Sequence, residues 1–402
     1  MGQSPSLRVN SGPILVLDPF GGDALATVRG LGRAGWRVIV AGVEPKALAL
    51  AASSKYAESY HRIPDPRGEA APVEAALRGL VRRHGCRVVI PCHDATIARL
   101  RNLDVGAPTI PRMDGALDLL TDKLDLGHVC SEASVMYPRT WSLDGADPIP
   151  VDQPLIVKPR RTAVARTDRV FSRNGAFVTH DGAGVDAAIA ALRAEELEPI
   201  VQLRVQRTQK VNVSIVRRAG NTSFRIAYRV LLEYPPEGGI AAAMESLDPL
   251  RGIGARALAA AERVCDAAGY SGLANIEFYR QNDGELCLIE VNARVWGSIW
   301  FPEQLGLRPA DRAVQDALGN GPELPGGYQS GRRFHRLAFE AKWVRSKSPE
   351  RGSIRKLVAV VRPWDVFDHL SLSDPSPLAY LVRRFLGRFG LRLTAGISRR
   401  GH

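Results

Sequence analysis

"NIEFYRQNDGELCLIEVNAR" (residues 275–294) reads as two strands closed by a tight turn at Asn282-Asp283-Gly284. Side chains alternate between faces with period two, so Glu290 and Asn292 share one face of the second strand. A hairpin closed at Asp283-Gly284 brings Glu277 alongside them. Two carboxylates and an amide oxygen on adjacent strands form a hard-oxygen site suited to Mg²⁺ bridging phosphates. Burying such acids with neither metal nor cation would be costly. Arg294, two residues further on, points the same way and could neutralise charge on a transferred phosphoryl group.

Working outward from the hairpin, residues 14–42 alternate strand, helix, strand ("ILVLD", "GGDALATVRGLGRAGW", "RVIVAG"), the pattern of an α/β domain with a parallel sheet. "FGGDALA" is only loosely like a GxGxxG dinucleotide fingerprint, so NAD is not the expected ligand. A further strand is expected near 57–63, and "CRVVIPCHDATIARL" supplies another strand followed by a helix. Past residue 110 the character changes. "DLLTDKLDLGHVCSEASVMYPRTW" predicts a helix ending before Tyr137-Pro138, and "PLIVKP" and "PIVQLRVQ" read as strands. "KVNVSIVRRAGNTSFRIAYRVLLEYP" predicts antiparallel strands turning at Ala219-Gly220-Asn221.

"VKPRRTAVARTDRV" (157–170) delivers Lys158 into the kind of loop that holds phosphate, yet has no glycine before Gly175. Such loops usually need bare backbone at close approach. Arg160, Arg161 and Arg166 could supply side-chain donors instead, or the loop's arginines, Arg169 included, are solvated or meet an anionic substrate. In "RIAYRVLLEYPPEGGIAAAMES" (225–246), the Pro-Pro turn followed by Gly238-Gly239 suits a loop lying close to ligands.

The chain's 402 residues allow two or three domains, and 45% apolar with 24% charged residues is ordinary for a soluble globular protein. No apolar run reaches the roughly 18 residues of a membrane-spanning helix. Nor does the polar N-terminus have the form of a secretory signal, so a cytoplasmic location is expected. Ser6 matches a short myristoylation motif that carries no weight alone. The five cysteines are odd in number and never spaced CxxC, which predicts reduced thiols. The net charge of +12 is concentrated: residues 331–402 hold 16 basic against 5 acidic residues, leaving 38 against 37 in the rest. Nucleic acid is therefore not an expected partner of the body. Near the end, Leu378, Leu381, Val382, Phe385, Leu386 and Phe389 form one helical stripe with Arg383, Arg384 and Arg388 off it. The stripe predicts packing on its own domain, with peripheral contact to an anionic membrane as the alternative.

The hairpin closely resembles the metal-binding end of the ATP-grasp superfamily, which includes biotin carboxylase and many carboxylate–amine ligases. The resemblance extends over most of residues 14–330, through "SSKYAESYHRIPDP", "VVIPCHDAT", "TDKLDL…YPRTW" and "PLIVKP". It implies α/β and α+β architecture: an N-terminal Rossmann-like pre-ATP-grasp domain (1–110), then an ATP-grasp domain (111–345) of two α+β subdomains. The small subdomain would span about 135–205, and a basic C-terminal extension (346–402) would follow a last strand at "RRFHRLAFEAKWV". By resemblance, Glu277, Glu290 and Asn292 bind one or two Mg²⁺ or Mn²⁺ ions, and Lys123 and Lys158 contact ATP phosphates with Arg160 and Arg161. Arg294 sits at the acyl-phosphate site. Gln202, Leu203 and Val205 form the hinge that pairs with adenine. The family usually holds the ribose with an acid in or after the hinge; this chain has none there, leaving Gln202, Gln206 or Asn212. Relatives of carbamoyl-phosphate-synthase type have a similar Arg…Pro-Pro…Gly-Gly segment beside the active site, which singles out Arg229, Gly238, Gly239 and Glu245 as substrate residues. The implied activity is an ATP- and Mg²⁺-dependent ligase joining a carboxylate to an amine, for which a homodimer would be an ordinary assembly. The alternatives are a bicarbonate-using carboxylase and an ATP-binding assembly protein with weakened turnover.

Overall fold

The computed structural model describes residues 12–236, 238–346, 361–362 and 364–384. Strands β1 (Ile14–Leu17), β2 (Val38–Gly42), β3 (Ala57–Arg62) and β4 (Val88–Ile90) form a parallel sheet in the order β3-β2-β1-β4. β1, β2 and β4 are buried throughout, as a parallel sheet covered on both faces requires. Helices α1 (Gly22–Arg33), α2 (Ala70–His84) and α3 (Asp94–Leu100) alternate with the strands. The strand order reverses between β1 and β4, and ligand crevices in such sheets open at the strands' carboxyl ends there. Asp18, just past β1, fixes that edge. Its carboxylate accepts the backbone N–H groups of Cys92 and His93 and the Thr96 hydroxyl.

The helix expected before Tyr137 is two helices, α4 (Gly115–Thr121) and α5 (Asp125–Glu132). Asp122 breaks it, because its carboxylate accepts the N–H groups of Leu124 and Asp125 and so starts a new helix. Next come β5 (Thr140–Ser142), β6 (Leu155–Pro159), β7 (Ala163–Ala165), β8 (Val170–Ser172), β9 (Phe177–Thr179), α6 (Gly182–Ala194) and β10 (Pro199–Leu203). β5, β10, β6 and β9 form one sheet in that order, and β7 and β8 a separate hairpin.

A seven-stranded sheet follows, with order β15-β14-β11-β12-β13-β16-β17. Its strands are β11 (Gln209–Arg218), β12 (Asn221–Tyr234), β13 (Ile240–Ser246), β14 (Gly272–Arg280), β15 (Leu286–Asn292), β16 (Arg333–His335) and β17 (Val366–Phe367). Helix α7 (Gly252–Ala267) packs on one face through Ala257, Leu258, Ala261 and Val264, against Val211, Val213 and Ile276. The opposite face carries Tyr228, Phe224 and Met244, which share a core with α1 and with α8 (Trp300–Gln304) and α9 (Pro309–Ala317).

"RRFHRLAFEAKWV" is not one strand. β16 is three residues long, and α10 (Leu337–Arg345) follows, burying Glu340 and Trp343. Glu340 and Asp365 hold the buried His335 ring from both nitrogens, at 2.6 and 2.9 Å. The described part of the basic extension is built into the fold. β17 pairs parallel with β16, and the segment then runs back to α1. There the fully buried Asp374 carboxylate receives Arg29 Nε at 2.8 Å, the Ser54 hydroxyl at 2.7 Å and Lys55 N–H at 3.0 Å. Of the apolar stripe, Leu381 packs on the core and Leu378 and Val382 are exposed; Phe385, Leu386 and Phe389 lie outside the described residues. No helix among the described residues is long and apolar enough to cross a membrane.

Candidate functional site

The hairpin β14–β15 places Glu277 directly opposite Glu290, and Asn275 opposite Asn292. β11 extends both rows, with Asn212 beside Glu277 and Ser214 beside Asn275. Paired residues on neighbouring strands share a face, so one surface carries Asn212, Glu277 and Glu290 in line, with Ser214, Asn275 and Asn292 next to them. Below the rows the Tyr228 hydroxyl ties Ser214, Asn275 and Ser298 together, with contacts of 3.1, 2.7 and 3.0 Å. Facing carboxylates repel and need a cation. The chain supplies one that sequence reading missed: Lys210 Nζ lies 2.5 Å from Glu277 Oε2.

Among the described residues no group of three or more His, Cys, Asp and Glu side chains converges as a metal site. What converges is two carboxylates and amides. Asn212 is 3% exposed, and its buried Oδ1 accepts no hydrogen bond. Asn292 Oδ1 receives only a 3.3 Å contact from Arg294. That donor set fits Mg²⁺, which keeps water and shares phosphate oxygens instead of demanding an all-protein cage.

Lys123 and Lys158 reach this surface from the α4–α5 break and from β6, and both are buried. Lys123 Nζ has only two contacts, Arg160 O and Thr162 Oγ1, each at 3.4 Å. Burial lowers its pKa, and Glu290, Asp94 and Asp122 act against that. Lys158 Nζ has no hydrogen bond or ion pair at all. Burial first, and then the like charge of Lys123, push its pKa down to about 7, with Glu290 opposing. Two desolvated amino groups within the field of one carboxylate can receive anionic oxygen.

The expected phosphate arginines are placed otherwise. Arg160 Nε donates to both oxygens of Asp122 at 2.9 and 2.8 Å, and Arg161 Nε to Oδ2 at 2.9 Å. Their remaining bonds go to Glu198 and Asp118. Burial works against the Asp122 charge, but the two guanidinium groups and the Leu124 and Asp125 N–H groups hold its carboxyl below the ordinary range. The two arginines thus clamp the turn that carries Lys123. The rest of the glycine-poor loop is the β7–β8 hairpin, closed where Arg166 N–H donates to Arg169 O. Ala163, Ala165 and Val170 pack it on Ala95 and Ala98 of α3, and Arg99 donates to Arg166 O. Arg169 pairs with its neighbour Asp168.

Arg294 is anchored by an aspartate outside the hairpin. Its Nε donates to Asp94 Oδ1 at 2.8 Å, at the switch point of the first sheet. Burial opposes the Arg294 charge, and Asp94, with Asp23 and Glu290 behind it, raises its pKa above the usual value. At the hinge, Gln202 is 1% exposed and donates to Thr140 Oγ1, which makes it part of the small sheet's core and removes it as a ribose ligand. Leu203 N–H donates to Arg139 O and Arg204 N–H to Pro154 O, whereas Val205 N–H is unpaired. Arg229 and Glu245 do not join the site. Arg229 is in register with Val211, so period two puts it on the face opposite Asn212 and Tyr228. There it pairs with Glu245 at 2.6 Å, and Arg333 holds the same carboxylate. Of the two glycines, Gly239 meets Lys210, its carbonyl accepting Nζ at 3.2 Å.

No family model and no curated protein matches the chain. Solved structures do. Biotin carboxylase from Campylobacter jejuni superposes with a TM-score of 0.61 at 17% identity, over 80% of this chain and 74% of that one. L-amino acid ligase from Bacillus licheniformis gives 0.61 at 16%, over 81% and 79%. N5-carboxyaminoimidazole synthetase from Staphylococcus aureus gives 0.60 at 14%, over 81% and 82%. All three are ATP-grasp proteins. With the parallel first sheet, a small antiparallel sheet, and a large, mostly antiparallel sheet whose edge is the carboxylate hairpin, the chain has the ATP-grasp fold.

Proposed function

We propose that the protein is an ATP- and Mg²⁺-dependent ligase that activates a carboxylate as an acyl phosphate and joins it to an amine. The observation that carries the reading is Lys158, buried, without a hydrogen-bonding partner at Nζ, and sharing with Lys123 the field of Glu290. An unpaired buried ammonium lowers stability, and an anionic ligand offsets that cost. Val205 N–H is the free donor at the hinge for an adenine edge. Lys123 and Lys158 then meet the phosphates, and Glu290, Asn292 and Asn212 would hold Mg²⁺, which neutralises phosphate oxygens when bound, with Glu277 beside them paired to Lys210. A substrate carboxylate oxygen attacks the γ-phosphorus as the bond to the bridging oxygen breaks and ADP leaves. Arg294, fixed by Asp94, stands beside Asn292 to meet the developing charge. The amine nitrogen attacks the acyl carbon, phosphate departs, and the amine proton is lost. No side chain forms a covalent intermediate, so catalysis consists of positioning and charge stabilisation.

The test is ADP and phosphate release against a panel of carboxylates and amines, with bicarbonate as a separate arm. Dependence on a carboxylate–amine pair supports the ligase, with Glu290→Gln losing about a hundredfold or more in rate. Dependence on bicarbonate alone would make the protein a carboxylase. ATP binding without release in any arm would leave a non-catalytic nucleotide-binding protein.

A further inference from the structure

We propose that Lys210 is a resident counter-ion to Glu277 and that it limits the carboxylate hairpin to one divalent cation, held through Glu290. The inference rests on the ligase reading and concerns how this chain loads that site.

The two facing carboxylates are not equivalent. Glu277 Oε2 is 2.5 Å from Lys210 Nζ, and its Oε1 faces Asn275 Nδ2 at 3.4 Å. The Glu290 carboxylate has no hydrogen bond or ion pair. One carboxylate is already matched to a cation, and the other is open.

Lys210 is held in place from three sides. An ammonium group has three N–H donors. Around Nζ stand Glu277 Oε2, the Gly239 carbonyl at 3.2 Å and Glu233 Oε1 at 3.6 Å, and the side chain is 8% exposed. The accepting carbonyl and the paired Glu233 carboxylate owe their positions to local backbone features. Register shifts between Val230 and Leu232, and again between Leu232 and Glu233, break the alternation of β12. Such bulges re-aim side chains, and here the carboxylate of Glu233 meets Lys210. Arg207 bonds its other oxygen. A Cβ at Gly239 would lie 2.4 Å from Tyr234 O, so only glycine fits where that carbonyl is presented.

The site's other lysines behave differently. Lys158 has no polar partner and Lys123 only two contacts at 3.4 Å, so these two are available to phosphate and Lys210 is not. A second Mg²⁺ on Glu277 would need its oxygen at about 2.0–2.1 Å. Lys210 already stands against that oxygen, and the two cations would repel each other at contact distance.

The experiment counts Mn²⁺ bound per chain by electron paramagnetic resonance in the presence of saturating ADP, on the full-length protein. We expect one ion for wild type and for Lys210→Arg, which keeps the charge, and two for Lys210→Met. Thermal melts of each variant report that it is folded. Two ions in wild type, or one in a folded Lys210→Met, overturns the inference and leaves the ligase reading standing. Absence of any Mn²⁺·ADP complex in wild type overturns the ligase reading, and the inference with it.

Discussion

At pH 8 the protein should take up roughly 0.9 of a proton when ADP binds, and at pH 6 roughly 0.1, apart from the nucleotide's own titration. The group responsible is Lys158, whose pKa burial and Lys123 push down to about 7. Phosphate oxygens at Nζ favour the ammonium form and return the pKa toward its ordinary value near 10.4. The sign follows from the two states. Below pH 7 free and bound protein are both protonated and affinity is level. Above pH 7 the free lysine is mostly neutral and must be charged on binding, so affinity falls about tenfold, or about 1.4 kcal/mol, per pH unit. Isothermal titration calorimetry in two buffers of different ionisation enthalpy counts the protons directly. Lys158→Arg is the control, because a guanidinium stays charged throughout and subtracts the titration of ADP itself. Equal proton uptake by wild type and Lys158→Arg at pH 8 would refute the assignment of Lys158 as the desolvated phosphate ligand.

Arg29→Met removes the counter-charge of the buried Asp374 and should cost about 3–5 kcal/mol in urea unfolding, whereas a loss below about 1 kcal/mol would show that the 361–384 segment is not anchored there. Gly22→Ala puts a Cβ 2.4 Å from His369 Cε1 at the start of α1. We expect a loss of about 1–3 kcal/mol, largely recovered by adding His369→Ala; no recovery would place the clash elsewhere.

The hairpin was legible because two independent signals agree on it: a turn sequence at Asn282-Asp283-Gly284 and a period of two that aligns Glu290 with Asn292. Lys210 was legible by the same rule, two residues before Asn212 on one strand, had Asn212 been read as a site-face residue. Arg229 was misplaced because a strand's face can be assigned only once its register is known, and Arg229 pairs with Val211. The partners of Arg160 and Arg161 lie 38 and 39 residues back, at Asp122, and Asp374 lies 345 residues from Arg29. Local pattern carries no information about such pairs. Nor could helical periodicity show the α4–α5 break, where an aspartate cap competes with an otherwise continuous amphipathic run.

The glycine-poor loop bears on whether the site is active or vestigial. Had its arginines faced the nucleotide, their cationic side chains could have stood in for the missing backbone donors. Instead Arg160 and Arg161 are committed to Asp122, and the hairpin beyond them packs on α3. The loop's contribution is therefore to fix Lys123, and on the proposed reading the phosphate charge falls to Lys123 and Lys158. Most charged groups around the site are matched in place: Lys210 with Glu277, Arg294 with Asp94, Arg160 and Arg161 with Asp122. Lys158 and Glu290 are not. Leaving a buried ammonium unpaired destabilises the fold, and methionine or leucine at position 158 would remove that cost without touching the clamp. A protein that merely kept the shape of this fold would gain stability from such a replacement. On the proposed reading, a ligand bearing both phosphate and a divalent cation completes this pair, the cation meeting Glu290 and the phosphate meeting Lys158.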